Sequence, residues 1–450
     1  RSMLLLITLL IAASAAMIPS RGLAVDDRVD AADRPSGTTQ ASSSVSIFAP
    51  TSTGDLIDVP PLDPAVPRPD DFLGAPIGAR FNHWDRLLAY YEALDAASDR
   101  VSLSEYGRTV EGRRLVLVAI TSASNAAKLE SLRADRLRLA EPERLEERER
   151  TRWIERLPAV LWLSFGVHGD ESSSAEAAAA VAYALAAAKG EAAERLDGLV
   201  VLIDPLANPD GRERYLASFE QRRGAVANPK AEAAEHAQPW PGGRTNHYLF
   251  DLNRDWGGAT QAETRARIAA FRQWEPQVFV DFHEMNSEST YFFPPAAEPV
   301  HSRISRRSVG WLETFGRSNA QAFDREGWLY FKGENYDLFY PAYGDTYPSL
   351  RGGVGMTYEM AGGGRAGEAI RLSTGVTLTL ADRVVRHFTT ALATFETAAK
   401  GSRKLLEDFV ANRLEAANPP NARTYLWSAD APEGAALAEL LTRHGVRVAT

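Results

Sequence analysis

The chain has 450 residues, 45% of them hydrophobic and 24% charged, with a formal net charge of -9 and no cysteine. That composition suits a globular protein with one large domain or two, and the acidic balance argues against nucleic acid or an anionic membrane as partner. Without cysteine there is no disulfide framework and no thiolate metal site, so a zinc site here has to be built from His and carboxylate.

Arg1 precedes an apolar run from Met3 to Met17, and Gly22-Leu23-Ala24 offers a small-x-small cleavage site before acidic Val25-Asp26-Asp27. This predicts a signal peptide over residues 1–24 and export to the periplasm or beyond. The run is too short for a comfortable membrane span, so no stable membrane insertion is expected after cleavage; a signal-anchor is the alternative. Residues 25–75, rich in Ser, Thr, Pro and Asp, read as a linker or leader, with ordered sequence expected from near Phe72.

The main domain is expected over 76–415. Trp84 to Leu94 has helical spacing, and Val101–Tyr106 and Leu115–Thr121 alternate like strands about a turn at Gly112. The apolar run Ala159–Phe165 predicts a buried central strand that delivers His168 just past its end. Ser172–Ser174 then cap an Ala-rich helix to about Ala188. Leu199–Ile203 reads as another buried strand, Asn208-Pro209-Asp210-Gly211 as a turn, and residues 221–250 as a long loop. Gln277–Phe282 and Met356–Tyr358 predict strands leading into His283 and Glu359, and Val376–Lys400 is mostly helical. The alternation predicts an α/β fold with a mixed, largely parallel central sheet flanked by helices, its site at the C-terminal strand ends. After Pro419 a strand at Thr424–Trp427, a helix at Glu433–His444 and a strand at Val446–Ala449 would begin a second, incomplete α/β module over 419–450.

Two imidazoles and a carboxylate, from His168, Glu171 and His283, form the ligand set of a catalytic zinc with an open position for water. Alone, His-x-x-Glu is weak, because a surface His and a Glu at a helix N-terminus give the same pattern. Glycines at 166 and 169 and a second His at another strand end strengthen it; Glu284 is a competing donor. Glu359 is the candidate base. Asn253 and Arg254 together offer several donors to a carboxylate, and Asp251 is a candidate hydrogen-bond partner for a ligand imidazole.

The ordered set Gly107-x-x-x-Glu111-Gly112-Arg113, His168-x-x-Glu171, Asn208-Pro209-Asp210-Gly211, Asp251-x-Asn253-Arg254, His283 and Tyr358-Glu359 resembles the zinc carboxypeptidases of the carboxypeptidase A type over about residues 80–400. The resemblance implies one zinc ion per chain, held by His168, Glu171 and His283, with Glu359 as general base to a zinc-activated water. It implies that Asn253 and Arg254 hold the terminal carboxylate of a peptide or protein substrate and that Asp251 supports His168. For the oxyanion donor it points to Arg223, with Arg222 and Arg244 as alternatives. For the tyrosine that caps the substrate it points to Tyr336, with Tyr340 or Tyr343 as alternatives. The residue setting side-chain preference falls near Gly344-Asp345. Near Glu171 the chain has Asp170 and Ser172 where the family usually has an Arg and an aromatic residue. A zinc amidohydrolase on the same fold, acting on N-acyl amino acids or cell-wall peptides, is the alternative activity, and a non-catalytic binding module the alternative from another class.

Overall fold

The computed structural model describes residues 62–419, 423–428 and 431–449. The expected signal peptide and most of the leader lie outside the described residues. Seven strands form the main sheet: β1 (Val101–Arg108), β2 (Arg114–Ile120), β3 (Ala159–Phe165), β4 (Leu199–Asp204), β5 (Val278–Met285), β6 (Tyr291–Phe292) and β7 (Val354–Ala361). Their spatial order is β1-β2-β4-β3-β5-β7-β6. The central four, β4, β3, β5 and β7, run parallel, while β1, β2 and β6 add antiparallel edges. The main helices are α1 (Trp84–Ala97), α2 (Ser173–Ala186), α3 (Pro209–Glu220), α4 (Ala262–Trp274), α5 (Arg306–Glu326), α6 (Leu380–Lys400), α7 (Ser402–Ala417) and α8 (Pro432–Arg443).

Side-chain alternation divides the interior into two cores. On β3, Leu161, Leu163 and Phe165 enter one cluster with residues of α1, α2, α5, α6 and α7. Val160 and Trp162 enter the other, with Ile268, Phe271 and Trp274 of α4. A strand covered on both faces has to be apolar throughout, which is why Ala159–Phe165 reads as a continuous run. All 14 residues of α2 are buried, unlike a surface helix with one apolar stripe. Its short alanines let the helix pack closely against both the sheet and α6.

Several boundaries differ from the sequence reading. β5 and β7 continue to Met285 and Ala361, so His283 and Glu359 lie inside strands. Backbone pairing carries the ladder past the point where apolarity ends. Asn208-Pro209-Asp210-Gly211 is the start of α3: the Asn208 side chain accepts from the Gly211 N–H at 3.0 Å and Pro209 occupies the first turn. The helix expected over Val376–Lys400 begins at Leu380, behind a capping box of Thr379 and Asp382; Thr377–Thr379 instead pairs with Ala369–Arg371. Packed chain begins before Phe72: Leu62 bridges to Ala188, and Val66 and Leu73 are buried.

Residues 221–250 form the expected loop, interrupted only by a short 3-10 turn at Ala234–His236. In the C-terminal region α8 is present, but neither 424–427 nor 446–449 is in a strand; among the described residues no neighbouring strand pairs with them. Instead α8 docks on α4, where Arg272 donates to the Thr442 and Arg443 carbonyls at 3.0 and 2.9 Å. No helix among the described residues is long and apolar enough to cross a membrane.

Candidate metal centre and its cleft

The loop leaving β3 carries His168 and Glu171. Gly169 in its middle has no room for a side chain, because a Cβ there would lie 2.0 Å from the Arg212 backbone nitrogen. That close approach seats the loop on the first turn of α3. Gly169 also donates to the Gly243 carbonyl at 3.0 Å, which draws the 221–250 loop alongside. β5 brings His283 to the same point from the neighbouring parallel strand.

Ligand atoms of His168, Glu171 and His283 all lie within 4.8 Å of one another, and all three residues are buried. The two Nδ1 atoms are 3.2 Å apart. Glu171 Oε1 is 2.7 Å from His168 Nδ1, and Glu171 Oε2 is 2.9 Å from His283 Nδ1. The far ring nitrogens lie beside carboxylates: His168 Nε2 is hydrogen-bonded to Asp251 Oδ1 at 3.0 Å, and His283 Nε2 is 3.2 Å from Asp281 Oδ2. Asp251 on His168 Nε2 keeps the proton there, and both Nδ1 atoms face one shared space. This donor set fits a divalent zinc ion.

The electrostatics agree with a site built for a cation. Burial opposes charge on His168, but Glu171 and Asp251 outweigh it and raise the imidazole. His283 is raised well above its ordinary value, with Asp281 and Glu171 overcoming burial. Glu171 and Asp251 are held far below the usual carboxylate range, against their burial, by the imidazoles and, for Asp251, by Arg244 and Arg254. Glu359 is pushed up to about 8 by burial and by the Glu171 charge, which outweigh the pull of the imidazoles. A bound dication would lower it again.

The zinc carboxypeptidase family model matches residues 87–369, more than half of the chain. The chain belongs to the zinc carboxypeptidase family. Two fungal proteins named probable carboxypeptidase 2, from Arthroderma benhamiae and Trichophyton verrucosum, are each 29% identical to it over 134 residues. That stretch is 29% of this chain and spans only 20% of the length of those relatives. Among solved structures, carboxypeptidase A from Helicoverpa armigera aligns with a TM-score of 0.48 at 16% identity, covering 75% of this chain and 80% of that one. A metallo-carboxypeptidase from Burkholderia cenocepacia gives 0.45 at 16%, covering 71% and 70%.

In this zinc carboxypeptidase chain the triad opens into a cleft of about 390 Å³ whose lining includes Arg244, Asn253, Arg254, Tyr336, Tyr343 and Glu359. A larger depression of about 670 Å³, lined by residues such as Leu62, Val66, Phe72 and Tyr183, holds none of the metal-competent residues.

Arg244 bridges the ligand carboxylate and its neighbour, donating to Glu171 Oε1 at 3.3 Å and to Asp251 Oδ2 at 2.9 and 3.1 Å. Arg223 lies elsewhere, paired with Glu368 at 2.7 Å in a separate surface depression. Arg222 is spent on Ser218 and the Ala237 carbonyl. Of the three candidate arginines, Arg244 lines the cleft and Arg223 and Arg222 do not, because the 221–250 loop folds back and its last part lies beside the triad.

Arg254 lies over the Tyr343 ring at 4.5 Å, with Nη1 3.9 Å from Asp251. The Asn253 side chain is engaged, 3.2 Å from His283 Nε2 and accepting from the Gly344 N–H at 2.7 Å. Tyr336 lines the cleft, its phenol raised by burial and by the Glu359 and Glu171 charges. Tyr340 is 45% exposed and packs edge-on against Tyr343 outside that lining. Asp345 lines the cleft with both oxygens accepting hydroxyls, from Thr346 at 3.1 Å and Thr357 at 2.8 Å.

Asp281, beside His283 Nε2, is a residue of the site that the sequence reading left without a role. The signal was present: it stands two residues before His283 and so shares its face of the strand.

Proposed function

We propose that this chain is an exported zinc metallocarboxypeptidase with one zinc ion per chain, hydrolysing the last peptide bond of peptides or proteins. The observation that carries the proposal is the convergence of His168, His283 and Glu171 in a cleft that also holds Glu359 and Arg254. Zinc held by those three side chains would supply Lewis-acid polarisation of the scissile carbonyl and a more acidic water.

The chain's own residues do the rest. Glu359, buried beside the triad, takes a proton from the attacking water and returns it to the leaving amine. Arg244 places its guanidinium where charge develops on the carbonyl oxygen. Arg254 grips the terminal carboxylate, aided by Asn253, and so fixes the bond in place. Tyr336, kept protonated, offers a hydroxyl donor over the bound substrate. Asp337 and Asp345 in the same lining give the pocket an acidic wall that would favour a cationic terminal side chain.

Export rests on the apolar run and the small residues at 22–24. Sequencing the N-terminus of the mature protein should find it at or near Val25.

The direct test pairs metal analysis of the purified protein with a panel of simple peptides and N-acyl amino acids. Stoichiometric zinc and release of C-terminal residues support the proposal. Turnover of the acyl amino acids alone would convert the reading to the amidohydrolase, and absence of stoichiometric zinc would remove both.

A further inference from the structure

Glu284 follows the ligand His283 on β5, yet its carboxylate does not join the ligand atoms. It is fully buried and accepts from Arg383 Nη1 at 2.9 and 3.1 Å. It also accepts from the Ser173 backbone N–H at 3.0 Å and from the Ser173 hydroxyl. Arg383, equally buried, donates on its far side to the Gly367 carbonyl. The Glu284 backbone N–H points the other way and donates to Glu171 Oε2 at 2.9 Å.

We propose that Glu284, clamped by Arg383 and Ser173, is a positioning residue that orients the Glu171 carboxylate and thereby sets the affinity for the metal. The proposal rests on the zinc reading above.

Stability alone does not account for the pair. Two charges taken wholly out of water lose hydration that their mutual attraction barely repays, and apolar residues of similar volume often serve folding as well or better. What apolar residues cannot do is accept two hydrogen bonds from Ser173. That residue opens α2, two positions after Glu171, and Ser174 Oγ donates back to the Glu171 carbonyl at 3.2 Å.

The ligand loop is thus tied to the strand carrying His283 twice: through the Glu284 side chain to Ser173, and through the Glu284 N–H to the ligand carboxylate itself. A second buried pair braces the loop from the other side, with Arg212 donating to the Ser172 carbonyl and to Glu176, both at 2.6 Å. Between these two anchors the backbone of 171–174 has little freedom, and neither has the plane of the Glu171 carboxylate.

The test measures zinc affinity by competition with a chelator in the full chain, for wild type, Ser173→Ala and the double variant Glu284→Leu/Arg383→Met. Removing both charges together avoids leaving one buried and unpaired. The expected result is a folded double variant, with a cooperative melt, that binds zinc roughly 10–100-fold more weakly, the loss typical of disturbed ligand support. Ser173→Ala should show a smaller loss in the same direction, and the visible spectrum of the cobalt-substituted forms should shift with both. Wild-type zinc affinity and a wild-type cobalt spectrum in the variants overturn the proposal. Should the double variant not fold, Ser173→Ala decides by the same two readouts. Failure of the wild-type protein itself to bind zinc sinks the zinc reading instead, which keeps the two failures apart.

Discussion

His283 and Glu359 are register partners on adjacent parallel strands, β5 and β7. Directly paired residues on neighbouring strands project from the same face of the sheet. One therefore presents an imidazole and the other a carboxylate to the same space, with positions fixed by the ladder rather than by a loop. Glu359 lines the same cleft and stands outside the triad whose ligand atoms converge.

Glu359→Gln keeps shape and hydrogen-bonding capacity but cannot take a proton. Its kcat should fall by about 10²- to 10⁴-fold, the range for a lost general acid–base group, while zinc content stays at the wild-type level. Metal analysis and steady-state kinetics on one preparation check this. Residual activity within tenfold of wild type would falsify the role of base.

Arg244 and Arg223 separate cleanly by mutation. Arg244→Ala should lower kcat by about 10²- to 10³-fold, as removal of an oxyanion donor does. Arg223 pairs with Glu368 at the surface, so Arg223→Ala should leave kcat within roughly twofold, the usual reach of a surface change. Equal losses in the two variants would show that the cleft is not where Arg244 acts.

Arg254 stacks on Tyr343 with its side chain 47% exposed, free to meet an incoming anion. A lost hydrogen bond to a charged group is worth about 1.5–3 kcal/mol. Arg254→Ala should therefore cost about 10- to 150-fold in kcat/KM on peptides with a free C-terminus. The same peptides ending in an amide already lack that interaction and should be little affected. If both substrate sets lose activity equally, exopeptidase recognition is not the task of Arg254.

Much of this was legible before any coordinates. The apolar runs before His168, His283 and Glu359 located the central strands, because a strand buried on both faces leaves no ambiguity of period. The ligands followed from where those runs end. What could not be read has a common cause: it depends on how separate segments dock. Arg244 and Arg223 share one loop without periodicity, and only the contact of Gly243 with Gly169 tells which reaches the site. The partnership of Asp281 with His283 lies within a single strand, but its weight depends on the Nδ1 atoms meeting across β3 and β5. Glu284 stays in the sequence as a competitor to His283, because sequence cannot show that Arg383, from a helix a hundred residues later, claims it. The expected strands at 424–427 and 446–449 differ for the converse reason: local propensity is present, and among the described residues no strand pairs with them.

His387 sets a limit on acid stability. It is fully buried on α6, with its ring against Phe282 and Nδ1 2.9 Å from the Tyr291 hydroxyl. Burial, with the Arg383 charge beside it, drives its pKa down to about 3 from an ordinary 6.5. A histidine depressed in the folded state stabilises fully above pH 6.5, and that contribution is lost as pH falls from 6.5 toward 3, because the unfolded chain takes up the proton first. At pH 4.5 the loss should be roughly 2–3 kcal/mol. Asp204 acts in the opposite sense: burial raises it from 3.8 to about 6, so its contribution is full below 3.8 and lost as pH rises through 6. The two partly offset between pH 4 and 6, and the other shifted groups of the cleft add their own slopes, so the contribution of His387 is read from the difference between wild type and a variant. The variant His387→Gln removes one side of that balance. Its unfolding midpoint in urea should fall less than that of wild type between pH 6.5 and 4.5, whatever its absolute stability. Parallel pH profiles for the two proteins would mean that His387 is not kept neutral in the fold.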